Sequence, residues 1–318
     1  MASRRVKRAK TDDLAIQTFN LTRKFNSLVA VDGIELNIRK GELFALLGPN
    51  GAGKTTTINI LCCLLKPSKG TAQIMGYDIL KQPFKVKEII GVAPQETAIS
   101  EHLNTQENMS LIGRIHAVSP PELKIRSQEL LETMGLEARA KEQVRKFSGG
   151  MKRRLNIMMA LIHNPEILFL DEPTLGLDPQ ARRAIWEYII RLKGEKTILL
   201  TTHYMDEADF LADRIGIMDE GKIVALGTSQ ELKSSMRERN TMIVSALELT
   251  PKVIEEMRSR YAEVSITGDT MLITDKQLDF REIVEHLHSA GAKVRSAHIK
   301  EPTLEDAFLN LTGKELRE

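Results

Sequence analysis

The chain of 318 residues is about twice the length of an ordinary domain, which makes two domains the expectation. It is 42% hydrophobic and 28% charged, a globular balance that excludes a disordered chain. Lys and Arg total 45 against 43 Asp and Glu, so a formal charge of +2 offers no global basic field to nucleic acid, and apolar runs such as 60–65 fall far below the roughly 18 residues of a membrane span.

Residues 1–11 hold Arg4, Arg5, Lys7, Arg8 and Lys10 with no apolar stretch behind them. They read as a solvated tail rather than a secretory signal, with weak contact to an acidic lipid surface as the alternative. From Leu14 to about Gly227 short apolar runs alternate with helical patterns, as in an α/β domain. Leu43–Leu47 is a candidate buried strand that runs into a glycine-rich turn and then a helix beginning near Thr55. The adjacent Cys62 and Cys63 point apart on any regular element, so no disulfide joins them and both read as small core residues of a reducing compartment.

A helical insert is expected over about 96–160. In it Ser119 and Pro120 open a helix with Leu123, Leu130, Leu131 and Met134 on one face, and Gly135 stops it. Ser148 caps the next helix, whose apolar face carries Leu155, Met158, Met159 and Ile162. Lys152, Arg153 and Arg154 read as the solvated side of that helix, with phosphate or interface contact as the alternative. Residues 167–170 and 197–201 are further buried strands. Between them Asp178 and Pro179 start a helix striped by Ile185, Ile189 and Leu192.

Near residue 235 the texture changes. Strand-like segments at 241–246, 264–267, 271–273 and 293–299 alternate with helices around 252–258, 280–290 and 302–311. The expected architecture is therefore an α/β domain over 12–235 followed by a small α+β domain, βαββαβ-like with a terminal helix, over 236–318.

The chemistry concentrates in the first domain. Gly48, Pro49, Asn50, Gly51, Ala52, Gly53, Lys54 and Thr55 match G-x-x-x-x-G-K-[ST] between a strand and a helix, and Thr56 follows. Such glycines let successive backbone N–H groups curl around phosphate oxygens at a helix start that favours negative charge. Lys54 supplies a point charge to the β- and γ-phosphates, and Thr55 a hydroxyl to Mg²⁺. The strand at 167–170 delivers Asp171 as a second Mg²⁺ ligand and Glu172 as the base that polarises water. In Phe147-Ser148-Gly149-Gly150-Met151 two glycines leave the backbone bare for a close phosphate approach.

Taken in order, the Gly48 loop, Ser148-Gly149-Gly150, Asp171-Glu172 and His203 resemble the ATP-binding subunit of an ATP-binding-cassette (ABC) transporter over about residues 14–227. The resemblance implies a P-loop ABC cassette with a helical insert, and further roles follow residue by residue. Gln95 resembles the glutamine that senses Mg²⁺ and water and couples to the membrane subunit, and Phe25 the aromatic that stacks on adenine. Asp178, in Gly176-Leu177-Asp178, resembles the loop across the dimer interface, and His203 the histidine that contacts the γ-phosphate. Two positions depart from the common pattern: Met151 replaces a glutamine and Phe25 a tyrosine. The 150–154 run and the closing 301–308 segment resemble the daunorubicin-resistance exporter ATPases, whose partners are separate ABC-2 permeases.

The implied machine binds ATP and Mg²⁺, pairs head to tail with a second cassette, and energises a separate permease from the cytoplasmic face of the membrane, with no nucleic-acid partner. A soluble ABC ATPase acting on ribosomes or nucleic acid is the alternative within the family. A phosphoryl-transfer kinase using the same loop is the alternative outside it, although it has no use for Ser148-Gly149-Gly150.

Overall fold

The computed structural model describes residues 13–234, 240–276, 278–300 and 302–313, so the basic residues of the tail lie outside the described residues. The chain divides between Ser229 and Gln230 into two compact units. The first runs β1 (Leu14–Phe25), β2 (Leu28–Ile34), β3 (Asn37–Arg39), β4 (Leu43–Leu47), α1 (Lys54–Leu61), β5 (Lys69–Ile74), β6 (Tyr77–Asp78), α2 (Pro83–Ile89) and β7 (Ile90–Ala93). It continues with α3 (Thr105–Ile115), α4 (Pro120–Met134), α5 (Gly149–Leu161), β8 (Ile167–Asp171), α6 (Pro179–Leu192), β9 (Thr197–Thr202), α7 (Met205–Leu211), β10 (Arg214–Asp219) and β11 (Lys222–Gly227). The division falls at the start of α8 (Ser229–Ser234).

Every residue of β4, β8 and β9 is buried. Strands covered on both faces read as unbroken apolar runs, which is why these segments showed no alternation in the sequence. They occupy the middle of a six-stranded sheet of order β11-β10-β4-β9-β8-β7, parallel except for the β10–β11 edge. An antiparallel sheet of order β2-β1-β5-β6, with β3 also on β1, forms a second layer. The core joins Ile16, Ala72 and Ile74 of that layer to Phe44, Leu46, Phe169 and Leu199 of the parallel sheet and Ile58 and Leu61 of α1. Each such large side chain contributes about 1.5–3 kcal/mol through burial.

Local signals set the insert. Leu123, Leu131 and Met134 of α4 are buried and Leu130 half-buried, and Gly135 ends the helix in the left-handed region at φ 61°. Asn104 and Glu107 form a capping box at the start of α3. Helix α5 approaches β7 so closely that a Cβ at Gly91 would lie 2.1 Å from the carbonyl oxygen of Ala160.

That close packing corrects the reading of Lys152, Arg153 and Arg154 as a solvated face. Arg153 is only 5% exposed, and Arg154 Nη1 donates to the Met134 carbonyl at 2.7 Å, satisfying the end of α4. Lys152 pairs with Glu101. Helix α5 is covered by β7, α3 and α4 together, so its polar residues must reach partners rather than water. Cys62 is buried and Cys63 half-buried, both as free thiols.

The second unit runs β12 (Asn240–Leu247), α9 (Pro251–Arg260), β13 (Glu263–Thr267), β14 (Thr270–Asp275), α10 (Phe280–Ser289), β15 (Lys293–Lys300) and α11 (Leu304–Thr312). Its sheet is antiparallel in the order β13-β14-β12-β15, the split β-α-β arrangement. Met242, Val244 and Ala246 alternate into a core with Met271 and Ile273, beneath Val253 and Met257 of α9 and Ile283 and Leu287 of α10.

Candidate functional site

The carboxyl ends of β4, β9 and β8 build the site. Leu47 is opposite Thr202, and the Gly48 amide donates to the Thr202 carbonyl at 3.2 Å, so the loop leaves the sheet at a fixed place. Gly48, Pro49, Asn50, Gly51, Ala52 and Gly53 then turn into α1. At Gly53 φ is +105°, and a Cβ there would sit 2.2 Å from the Ala30 carbonyl, so the position demands glycine. The Lys54 side chain is 5% exposed and donates to the carbonyls of Gly48 (2.8 Å) and Pro49 (3.1 Å). Its Nζ also lies 3.1 Å from Glu172 Oε1.

Next to it, the register of β8 on β9 sets Asp171 opposite Thr201. Thr201 Oγ1 donates to Asp171 Oδ1 at 2.5 Å, and Thr55 Oγ1 donates to the same oxygen at 3.1 Å. Burial pushes the Asp171 carboxyl above the usual carboxylate range, while these two hydroxyls oppose the shift. Glu172 sits in the left-handed region at φ 51°, a conformation that costs a non-glycine residue on the order of 1–3 kcal/mol. Its amide is held by both the carbonyl and the hydroxyl of Thr201, each at 3.1 Å. Its carboxylate bridges Lys54 and His203, whose Nδ1 is 2.6 Å from Oε2.

A cavity of about 450 Å³ opens on this cluster, lined by Phe25, Leu28, Ala30, Asn50, Gly51, Gly53, Lys54, Thr55, Thr56, Gln95 and Glu172. The Arg23 guanidinium lies 4.5 Å over one face of the Phe25 ring, which is 40% exposed. Thr55 and Asp171 present adjoining oxygens, and Gln95 lines the cavity with Thr55; hard oxygen donors of this kind fit Mg²⁺.

Gly48, Pro49, Ala52, Asp171 and His203 stand behind the residues that line this cavity, whereas Ser148, Gly149, Gly150 and Asp178 belong to neither group. Ser148 accepts from the Met151 amide at 3.3 Å, capping α5, and Asp178 accepts from the Ala181 amide at 2.9 Å, capping α6. Ser148 and Gly149 are exposed. A Cβ on Gly150 would meet Ala181 Cβ at 3.2 Å, so packing against α6 explains that glycine, whereas a Cβ on Gly149 would meet nothing within 4 Å.

Three contributors were not foreseen. Thr201 was read only as a strand residue, because its partnership with Asp171 depends on strand register. Glu207, fully buried, accepts from Thr174 (2.8 Å) and Trp186 (2.9 Å), and burial holds its carboxyl above the usual range. Arg153 donates to the carbonyls of Pro94 (3.0 Å), Gln95 (2.9 Å) and Glu172 (2.5 Å).

A family model described as ABC transporter matches residues 31–175. The chain is 36% identical over 315 residues to a daunorubicin resistance ATP-binding protein of Streptomyces coeruleorubidus, covering 96% of this chain and 98% of that protein. It is 38% identical over 310 residues to the linearmycin resistance ATP-binding protein of Bacillus subtilis (strain 168), covering 95% and 100%. A solved dimeric ATP-binding cassette in a post-hydrolysis state, bound to ADP and Pi, aligns with TM-score 0.62 at 29% identity, over 67% of this chain and 98% of that one.

Proposed function

Because the chain belongs to the ABC transporter family and is an ATPase of the daunorubicin-resistance type, we propose that it energises export through a separate ABC-2 permease as a head-to-tail dimer with two shared ATP sites. The observation that carries this reading is a division within the chain. Lys54, Thr55, Gln95 and Glu172 face one cavity, while Ser148 and Gly149 are exposed away from it with open space at Gly149. A second copy that brings its own Ser148–Gly150 helix start to the phosphates would complete each site.

In that site the loop amides and Lys54 hold the phosphates, Lys54 exchanging its carbonyl partners and Glu172 for the substrate's charge. Phe25 stacks on the adenine with the ring face that Arg23 leaves open. Thr55, Asp171 and Gln95 hold Mg²⁺, which when bound neutralises phosphate charge. Glu172 takes the proton of the attacking water as the γ-phosphoryl passes to it and ADP departs. His203 keeps the Glu172 carboxylate oriented from its far oxygen and reaches the γ-phosphate, and Asp178 lies at the dimer interface.

The permease surface we assign is a second cavity of about 450 Å³, lined by Val92, Pro94 and Ala98, neighbours of Gln95 in the chain, and by Leu64, Ile112 and Ile115. Two large apolar side chains on it are exposed, Leu64 at 65% and Ile115 at 69%, beside the exposed Lys87. No helix among the described residues is long and apolar enough to cross a membrane, which fits a peripheral seat on the cytoplasmic face. Fractionation of cells producing a tagged full-length chain tests the assignment. Recovery with membranes and a co-purified permease supports it, and recovery with ribosomes or nucleic acid would replace it with the soluble alternative.

A further inference from the structure

We propose that Arg153 is a positioning residue for ATP hydrolysis, which carries the placement of the Ser148–Gly150 helix start to Gln95 and Glu172 through three backbone carbonyls. The guanidinium is 5% exposed and donates from Nη1 to the carbonyls of Pro94 and Gln95, and from Nη2 to that of Glu172. These carbonyls belong to two chain segments, the end of β7 and the end of β8, that no hydrogen-bond ladder joins at this point. A planar fork with fixed donor directions can serve both at once, which an ammonium on a flexible stem cannot.

Three features make this more than carbonyl satisfaction. Arg153 lies on the same helix as the Gly149 backbone, within the first two turns, so a shift of the helix start is transmitted along a rigid rod. Both far ends matter to chemistry, since the Gln95 and Glu172 side chains line the cavity that also contains Lys54 and Thr55. Glu172 also occupies a strained left-handed conformation, pinned at its amide by Thr201 and at its carbonyl by Arg153. Moving one pin re-aims the carboxylate. Burial opposes the guanidinium's charge, and the negative charges of Asp171, Glu172 and Glu207 favour it.

The inference rests on the shared-site reading for what moves the helix start, and the test separates the two. In the full-length chain, Arg153→Lys should lower kcat about 10–100-fold, the scale of a misplaced catalytic geometry, while KM for ATP stays within about threefold. The variant should still melt cooperatively, a few degrees below the parent because a buried carbonyl loses its donor, and at the assay temperature its affinity for a fluorescent ATP analogue should match the parent. Glu172→Gln and the double variant Glu172→Gln with Arg153→Lys should both form an ATP-dependent dimer by light scattering. If Glu172→Gln alone stays monomeric in ATP, the shared-site reading fails by itself, and the kcat and KM of Arg153→Lys still decide the role of the arginine. Turnover of Arg153→Lys within about twofold of the parent overturns the proposal, as does a loss of turnover matched by an equal loss of ATP affinity or traced to unfolded protein at the assay temperature. Should Arg153→Lys not fold, Arg153→Gln, whose amide can still serve one carbonyl, is read by the same criteria.

Discussion

Lys54 and Glu172 form an ion pair at 3.1 Å in which each side chain is only 5% exposed, so the phosphate loop and the end of β8 are locked to one another before any substrate arrives. Nucleotide entry must exchange this contact, because the ammonium that serves the phosphates is the one now held by the base. Removing one member of such a pair leaves the other charge buried without compensation.

Replacing Glu172 by Gln removes the base and the charge paired with Lys54, which keeps its bonds to the Gly48 and Pro49 carbonyls. Turnover should fall about 10²–10⁴-fold, the usual worth of a positioned base, while affinity for ATP is kept or improved. The phosphates remain and the water is no longer activated, so the variant should accumulate as a closed dimer in ATP. Steady-state ATPase assays and light scattering read both effects; normal turnover would remove Glu172 from the mechanism.

A shared site makes a complementation experiment decisive. Lys54→Ala breaks the loop half, and Gly149→Asp puts a carboxylate where a phosphate approaches. Open space around Gly149 and its unstrained backbone mean that the second change should leave melting unaltered. Each homodimer should be inactive, and a mixture should regain part of the parental ATPase activity through the one site built from two intact halves. Mixed dimers that form and bind ATP at one site yet stay inactive count against a self-sufficient homodimer.

Every residue of the ATP cavity, and Ser148, Gly149 and Gly150, precede the division between Ser229 and Gln230. A chain ending at Ser229 should therefore melt cooperatively and bind ATP. Titration with a fluorescent analogue checks this, and loss of binding in a folded truncation would show that the second unit completes the site.

His163 supplies a pH signature. Its ring stacks on His116 at 3.7 Å, Nε2 donates to the Ile90 carbonyl at 2.9 Å, and Nδ1 is buried with no hydrogen-bond partner among the described residues. Burial pushes its pKa from 6.5 down to about 4, opposed by the bond to the Ile90 carbonyl and aided by positive charge on His116, Arg126 and Lys196. Between these values the unfolded chain binds the proton that the folded chain refuses, so this residue's contribution to stability is lost as pH falls from 6.5 toward 4. His163→Phe keeps the stack and cannot titrate. Its melting temperature should decline less steeply with acid than the parent's, and parallel curves would refute the assignment.

The phosphate loop, the order of motifs that follow it, and the element order of the second unit are legible in the sequence, because each is written in neighbouring residues. Glycines between a strand and a helix, Gly135 as a helix stop, and the alternation of Met242, Val244 and Ala246 are local patterns with local physical causes. Which of those residues meet depends on how distant segments pack. Thr201 holds Asp171 because β9 lies beside β8 in one register, and a shift of one residue would turn its hydroxyl to the other face. Arg153 is one of three consecutive cations in the sequence, but β7, α3 and α4 cover α5, and a buried guanidinium must find acceptors. Burial and register are properties of pairs of distant segments, so no window of sequence around Arg153 or Thr201 contains them.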